Sequence, residues 1–419
     1  MMIFMSLYSM VDGIFVSRLV NTDALSAINI VVPFTYLIIG VGVMFGTGGS
    51  AIIAKKMGEG DAEAGREAFS LIVLAALVLS AVIMILGLAF REPVIRLLGA
   101  SDRLMPYCRD YYTVLLMGTP AFMLQLLFQN FFVTAGKPNV GLWATVGAGL
   151  TNILLDYLFI GPLGMGIQGA AIATALGYLV PAVAGLFFFC IKKNNLYFVR
   201  PKWNGPTLLK SCANGSSEMV TNLASAVIAM LFNIMMIRLL GEDGVAAITI
   251  VLYGQFIFTA IYLGFSSGVA PVVSYQYGAR NTQQLQRVFK ISLGFITVSS
   301  LLIVIASIAF APYIVGVFAD STSKTYELAC HGFVLFSTCY IFTGYNIFAS
   351  SLFTALSNGK VSAILSFMRT FVLILPGILV LPAFLGVDGI WLAVPIAEAL
   401  GLCLSVYYLM RGRERYRYA

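Results

Sequence analysis

Charge is what this sequence has least of. Only 10% of its 419 residues are Asp, Glu, Lys or Arg, while 60% are hydrophobic. A soluble domain carries roughly 25% charged residues, so this composition cannot clothe a globule in water. Histidine occurs once, as His331, and there is no HExxH and no pair of catalytic histidines, which argues against a membrane-embedded enzyme. The six cysteines (Cys108, Cys190, Cys212, Cys330, Cys339, Cys403) form no CxxC pair and lie mostly in apolar stretches. They read as free packing residues, not as disulfides or metal ligands. No polar stretch is long enough to fold as a soluble domain. The N-terminus lacks the charged leader of a signal peptide, and the first apolar stretch begins at Met1 itself, which points to a truncated or mis-started end.

What is present is a series of apolar stretches long enough to cross ~30 Å of hydrocarbon. They fall near 1–18, 26–54, 67–90, 108–133, 140–160, 168–191, 214–238, 246–275, 287–312, 328–355, 361–383 and 389–410. The expected fold is therefore an all-α integral membrane protein of twelve transmembrane helices. The net charge of +7 is topological. Counted over alternate loops, one set holds Lys55, Lys56, Arg66, Lys137, Lys192, Lys193, Arg200, Lys202, Lys210, Arg280, Arg287, Lys290, Lys360, Arg411, Arg413, Arg415 and Arg417. The other holds only Arg18, Arg91, Arg96, Arg103, Arg238 and Lys324. By the positive-inside rule the richer side, with the C-terminal tail, is cytoplasmic, and no nucleic-acid partner is called for.

The sequence also repeats itself. A shift of 220 residues aligns 18–80 with 238–300 without a gap, pairing Arg18-Leu19 with Arg238-Leu239, Asp23 with Asp243 and Gly58 with Gly278. Ala27-Ile28-x-Ile30-Val31 likewise returns as Ala247-Ile248-x-Ile250-Val251. Six spans per copy is an even number, so the copies enter the membrane with the same orientation. Two six-helix lobes related by a pseudo-twofold axis along the membrane normal are expected, with a cavity between them. The expected division is an N-terminal lobe over 1–191, a cytoplasmic linker over 192–213 ending in a short surface helix at Pro206–Ser211, and a C-terminal lobe over 214–419. Duplicated bundles of this kind are typical of transporters.

Four acids lie inside apolar spans: Asp12, Asp156, Glu218 and Glu398. Each costs about 2.5–3.5 kcal/mol at a helix centre on an insertion scale, so each should face inward. Asn152 and Asp156 share a helix face, as do Glu218 and Asn222, and Asn233 returns to nearly the face of Glu218. Asp12 has Phe232 as its repeat counterpart, so acidity there belongs to the first copy alone. Burial raises a carboxyl pKa toward values where protons bind and leave near neutral pH. Arg369 is the one cation placed deep in a span. Four acids against it favour cationic cargo, and the 31 Phe, 20 Tyr and 17 Met can supply an adaptable wall for flat cations. The glycines of Gly40-x-Gly42-x-x-x-Gly46-x-Gly48-Gly49 allow close helix approach and, without the Lys of a phosphate loop, do not bind nucleotides.

Several of these pieces together resemble the multidrug and toxic compound extrusion (MATE) family, in its bacterial DinF-like kind. They are Leu7-Tyr8-x-x-Val11-Asp12-Gly13-Ile14-Phe15-Val16-Ser17, Ala24-Leu25-Ser26-Ala27-Ile28-Asn29 with Pro33-Phe34, and Lys55-Lys56-Met57-Gly58. Asn152-Ile153-x-Leu155-Asp156, Gly166-Ile167-x-Gly169-Ala170-Ala171-Ile172-Ala173-Thr174 and Gly389-Ile390-Trp391-x-Ala393-x-Pro395-Ile396-Ala397-Glu398 continue the likeness to the end of the chain. The resemblance implies a monomeric exporter of small organic cations in the bacterial cytoplasmic membrane. Inward flow of protons or sodium ions would drive it by alternating access, with no other cofactor. It implies an ion-coupling cluster of Asp12, Asn152 and Asp156, with Tyr112, Asn130 and Thr174 as weaker members. Glu218, Asn222, Asn233, Glu398 and Arg369 are the candidates for the substrate cavity. The chain departs from the family in having no proline before Asp12, and only Glu327, at the edge of the tenth span, could pair with Glu218. A flippase for lipid-linked saccharides, from a related branch, is the alternative; its diphosphate cargo would call for several cavity cations.

Overall fold

The structure is a computed structural model that describes Phe4, Val20 and residues 22–419. Apart from Phe4, the first expected span, 1–18, with Asp12 in it, lies outside the described residues. Everything else expected to cross the membrane is helical. In order, α1 is Thr22–Gly58, α2 Ala62–Ala89, the short α3 Arg91–Leu97, α4 Met105–Thr134, α5 Pro138–Ile160 and α6 Gly166–Cys190. Then come α7 Gly205–Leu240, α8 Glu242–Gly278, α9 Thr282–Phe318, α10 Lys324–Ser337, α11 Tyr340–Ala355 and α12 Gly359–Phe367. A π-helical segment, Met368–Ile374, leads into α13 Leu375–Leu385, and α14 is Val387–Tyr416. Among the described residues ten spans are long and apolar enough to cross a membrane, eleven when the bent pair α10–α11 is taken as one. The protein is a multi-pass membrane protein.

The repeat is written into the helix boundaries. α1 and α8 each run 37 residues, and their starts and ends both differ by the 220-residue shift. The next helices start in register too: Asp61 caps α2 by accepting from the Ala64 N–H, and Asn281 caps α9 by accepting from the Gln284 N–H. Such caps satisfy one of the orphan donors at a helix N-terminus, so each copy turns back at the same point. Among the described residues two features belong to the second copy alone. α10 and α11 meet at a 52° bend at Thr338–Cys339, and the span 359–385 carries the π segment. Pro376, two residues beyond that segment, cannot donate to the Val372 carbonyl and its ring crowds it, which opens the helical ladder.

The chain forms two compact units, Met1–Asn222 and Leu223–Ala419. The division falls inside α7. There is no separate surface helix at 206–211, because those residues are the first turns of the continuous α7. Inside the first unit this beginning of α7 lies against α1. A Cβ on Gly48 would stand 2.0 Å from the Ser211 carbonyl oxygen, and one on Gly215 would stand 2.0 Å from that of Met44. Only glycine permits backbones to approach so closely.

The connection before α7 is stitched to α2. Val199 N–H donates to Ser70 Oγ, Arg66 Nε donates to the Asn195 carbonyl and lies over the Tyr197 ring, and Lys202 pairs with Glu67 at 2.5 Å. Phe198 inserts beside Phe69 and Phe189 in the aromatic core of the first unit. The hydrogen bond and charge of Glu67 hold the Lys202 ammonium above its ordinary pKa, though the pair is solvent-exposed and stabilises little.

Candidate functional site

In the first unit α4, α5 and α6 pack on one another, with α1 against α4. Glycines set the distances: a Cβ on Gly118 of α4 would stand 3.0 Å from the Ala175 methyl, and one on Gly177 of α6 3.3 Å from Asn152 Cβ. Thr174, next to Ala175 and one turn from Gly177, is thereby brought to the face of α5 that carries Asn152. That face is buried. Asp156 is 0% exposed and Asn152 3%. Tyr112 of α4 is also fully buried, its ring 4.8 Å from that of Phe34 on α1. Cys108, one turn below, reaches toward the Ala27 carbonyl of α1.

Tyr112 and Asn152 thus place polar atoms in the buried interior of the first unit. Among the described residues neither the Tyr112 hydroxyl nor Asn152 Oδ1 finds a hydrogen-bond partner. A buried orphan acceptor costs about 1–3 kcal/mol, a cost that a proton donor or a small cation would relieve. Thr174 Oγ1 donates to the Ala170 carbonyl, which leaves its lone pairs available. Asn130 does not join them. It lies eighteen residues along α4 from Tyr112, about 27 Å at the rise of an α-helix. Its amide donates to the Leu126 carbonyl and lies against Gly46 of α1.

The residues assigned to a substrate cavity divide. Glu218 and Asn222 are half-buried on the first half of α7, where Asn222 Nδ2 donates to the Glu218 carbonyl at 2.8 Å. Asn233 is exposed on the second half of the same helix and belongs to the other unit. Glu398 and Arg369 do not line an open wall. Glu398 is buried and Arg369 half-buried inside the second unit, with Arg369 Nε 3.9 Å from Glu398 Oε1, because each compensates the other's charge.

Around that pair lies a polar cluster that reading the acids alone did not find. Asn346 Nδ2 donates to Glu398 Oε2 at 2.7 Å and to the Glu398 carbonyl at 2.8 Å, and Ser405 Oγ donates to Asn346 Oδ1. A cavity of about 10 Å³ is lined by Asn346, Ser350, Ser366, Arg369 and Ser405. The signal in the sequence was spacing. Asn346, Ser350 and Thr354 stand four apart on α11, and Ser362, Ser366 and Thr370 stand four apart across α12 and the π segment. Asn346→Ala removes a carboxylate's donor and leaves Ser405 without its acceptor. It should lower stability by about 2–3 kcal/mol, read as a fall in the thermal midpoint in detergent.

Comparison with known proteins decides the family. The MatE family profile matches residues 1–158 and again 219–379, once in each copy of the repeat. The chain belongs to the MatE family. Among its curated relatives is the multidrug export protein MepA of Staphylococcus haemolyticus (strain JCSC1435), 24% identical over 428 residues, covering 98% of this chain and 91% of MepA. Another is the FAD transporter of Shewanella oneidensis, 27% identical over 415 residues, covering 96% of this chain and 89% of that protein. The fold matches a solved outward-facing multidrug resistance MATE family transporter of the MOP superfamily with a TM-score of 0.91. That match is 24% identical and covers 100% of this chain and 94% of the other. A MOP superfamily transporter from Pyrococcus furiosus, described as having a binding pocket of reversed polarity, matches with a TM-score of 0.90, again at 24% identity, covering 99% of this chain and 93% of that one. This MatE protein thus has the twelve-helix, two-lobe fold and is a transporter, not an enzyme.

Proposed function

We propose that this MatE protein is a cation-coupled antiporter that exports small organic cations from the bacterial cytoplasm in exchange for protons or sodium ions. The observation that carries the reading is the Asn152–Asp156 face of α5, buried inside the first unit in a segment long and apolar enough to cross the membrane. A carboxyl so placed is costly unless it has a task, and binding then releasing a small cation is a task it can perform. Asp12 would complete the cluster from the first span. Multidrug export by the MepA relatives points the same way. The arginines at the end of α14 favour a cytoplasmic C-terminal tail, and the proposal takes the protein to act as a monomer in the inner membrane.

The alternatives carry anions: lipid diphosphates, or FAD as in the Shewanella relative. They are disfavoured because Arg369, the one cation deep in a described span, is occupied by Glu398. Efflux of a fluorescent organic cation such as ethidium, followed in everted vesicles under imposed proton or sodium gradients, tests the reading. Efflux driven by one of the two gradients, and inhibited by other organic cations, is the expected result. Inhibition by FAD or a lipid diphosphate instead, or no response to either gradient, would overturn it.

A further inference from the structure

The second unit contains a row of hydroxyls that the coupling cluster of the first unit does not use. Thr354 Oγ1 and Ser362 Oγ are 2.8 Å apart, Ser362 and Ser350 2.8 Å, and Ser350 and Ser366 3.1 Å. All four are buried. The row begins at Thr354, three residues from the exposed Ser357, at the end of the unit that carries Lys360. It ends at the 10 Å³ cavity, whose other walls are Arg369, Asn346 and Ser405. Such a volume holds about one water molecule. Beyond it is Glu398, with Oε2 held by Asn346 and Oε1 facing Arg369.

We propose that Glu398 is a second proton-exchange site of this transporter, reached from the Lys360 end through the cavity and the Ser366–Ser350–Ser362–Thr354 row. The inference rests on the antiport reading for its biological purpose, and on the geometry alone for its chemistry. The chemistry favours a proton over a sodium ion, because Arg369 repels a metal cation at the same place and the cavity is too small for a hydrated one. Protonated Glu398 gives its proton to a water in the cavity, and that water passes one of its own to Ser366 or Ser350. Each hydroxyl in turn accepts one proton and releases another. One proton reaches the exit, and Glu398 remains as a carboxylate paired with Arg369.

Among the described residues the ionisable groups that face Glu398 are Arg369 from the π segment and the Cys339 thiol from the bend between α10 and α11. α11 contributes the neutral Asn346, α14 the neutral Ser405, and α13 no titratable side chain. Proton uptake requires Arg369 to withdraw, and a π segment is a place where a helix can change register and swing that side chain away.

Infrared difference spectroscopy on the full chain in liposomes, between neutral and acidic pH, tests this without cargo. The wild type should gain a carboxylic C=O band that Glu398→Gln loses. In the Ser350→Ala/Ser362→Ala double variant, which keeps Glu398, the band should persist but its hydrogen–deuterium exchange should slow by about 10²-fold, the lower end of what a positioned proton-transfer group contributes. Ser292→Ala, a buried hydroxyl outside the row, should exchange like the wild type. An unchanged band in Glu398→Gln, or wild-type exchange in the double variant, overturns the proposal, and the double variant decides alone if Glu398→Gln does not fold. Loss of gradient-driven export in the wild type would instead overturn the antiport reading and leave the infrared result standing.

Discussion

Replacing Asp156 with asparagine should abolish gradient-driven export, lowering the efflux rate by about 10²-fold or more, while the protein remains inserted and folded. The substitution keeps the volume and the helical site of a fully buried side chain and removes its capacity to bind and release a cation. Folding should survive because an amide is cheaper to bury than a carboxylate. Dye efflux in everted vesicles reads the first effect, and the thermal midpoint with the elution profile in detergent reads the second. Asp12→Asn, in the first span, belongs in the same experiment. Unimpaired efflux by Asp156→Asn would remove that residue from the coupling machinery.

The largest structural effect is expected at the contact of α1 with the beginning of α7. Gly48→Val and Gly215→Val each place a side chain where a backbone carbonyl oxygen already lies 2.0 Å from the position of Cβ. No rotamer relieves a clash with backbone, so the helices must separate, at a cost of roughly 3 kcal/mol or more. Loss of the monodisperse, folded species, or a thermal midpoint many degrees lower, is the expected result. Gly268→Ala and Gly294→Ala supply the contrast: both lie within helices with nothing inside 4 Å of the added Cβ. There alanine should leave stability unchanged or raise it by up to about 1 kcal/mol through helix propensity. Equal behaviour of the two pairs would show that the close approach does not hold the first unit together.

Hydropathy made most of the fold legible because it reports the part of each helix that meets hydrocarbon. The stretch expected at 168–191 appears as Gly166–Cys190, and that at 140–160 as Pro138–Ile160. It fails where a helix leaves the apolar zone. The beginning of α7, with Lys210, Ser211 and Cys212, looked like linker, yet it is helical because it packs against α1. The bend at Cys339 and the π segment left no trace in hydropathy, since both are changes of backbone hydrogen bonding inside apolar sequence.

The candidate site was legible where polarity is expensive. Asp156 and Asn152 stand out because an acid and an amide four apart in an apolar span need a reason. Asn130 was drawn in by family likeness and falls out by distance along α4. The cluster around Glu398 was hidden in small hydroxyl residues, which in membrane helices usually signal packing. Only their common four-residue spacing on two neighbouring helices marked them as a network.

The length of α8 and α9 has a mechanical consequence. Each has 37 residues, and such a helix is about 55 Å long, against a hydrocarbon thickness of ~30 Å. Each therefore stands well clear of the bilayer on at least one side and behaves as a rigid arm. A pivot of only about 10° carries the far end of an arm that long through roughly 10 Å. Motions barely visible at the depth of the buried acids become displacements of molecular size at the membrane surface.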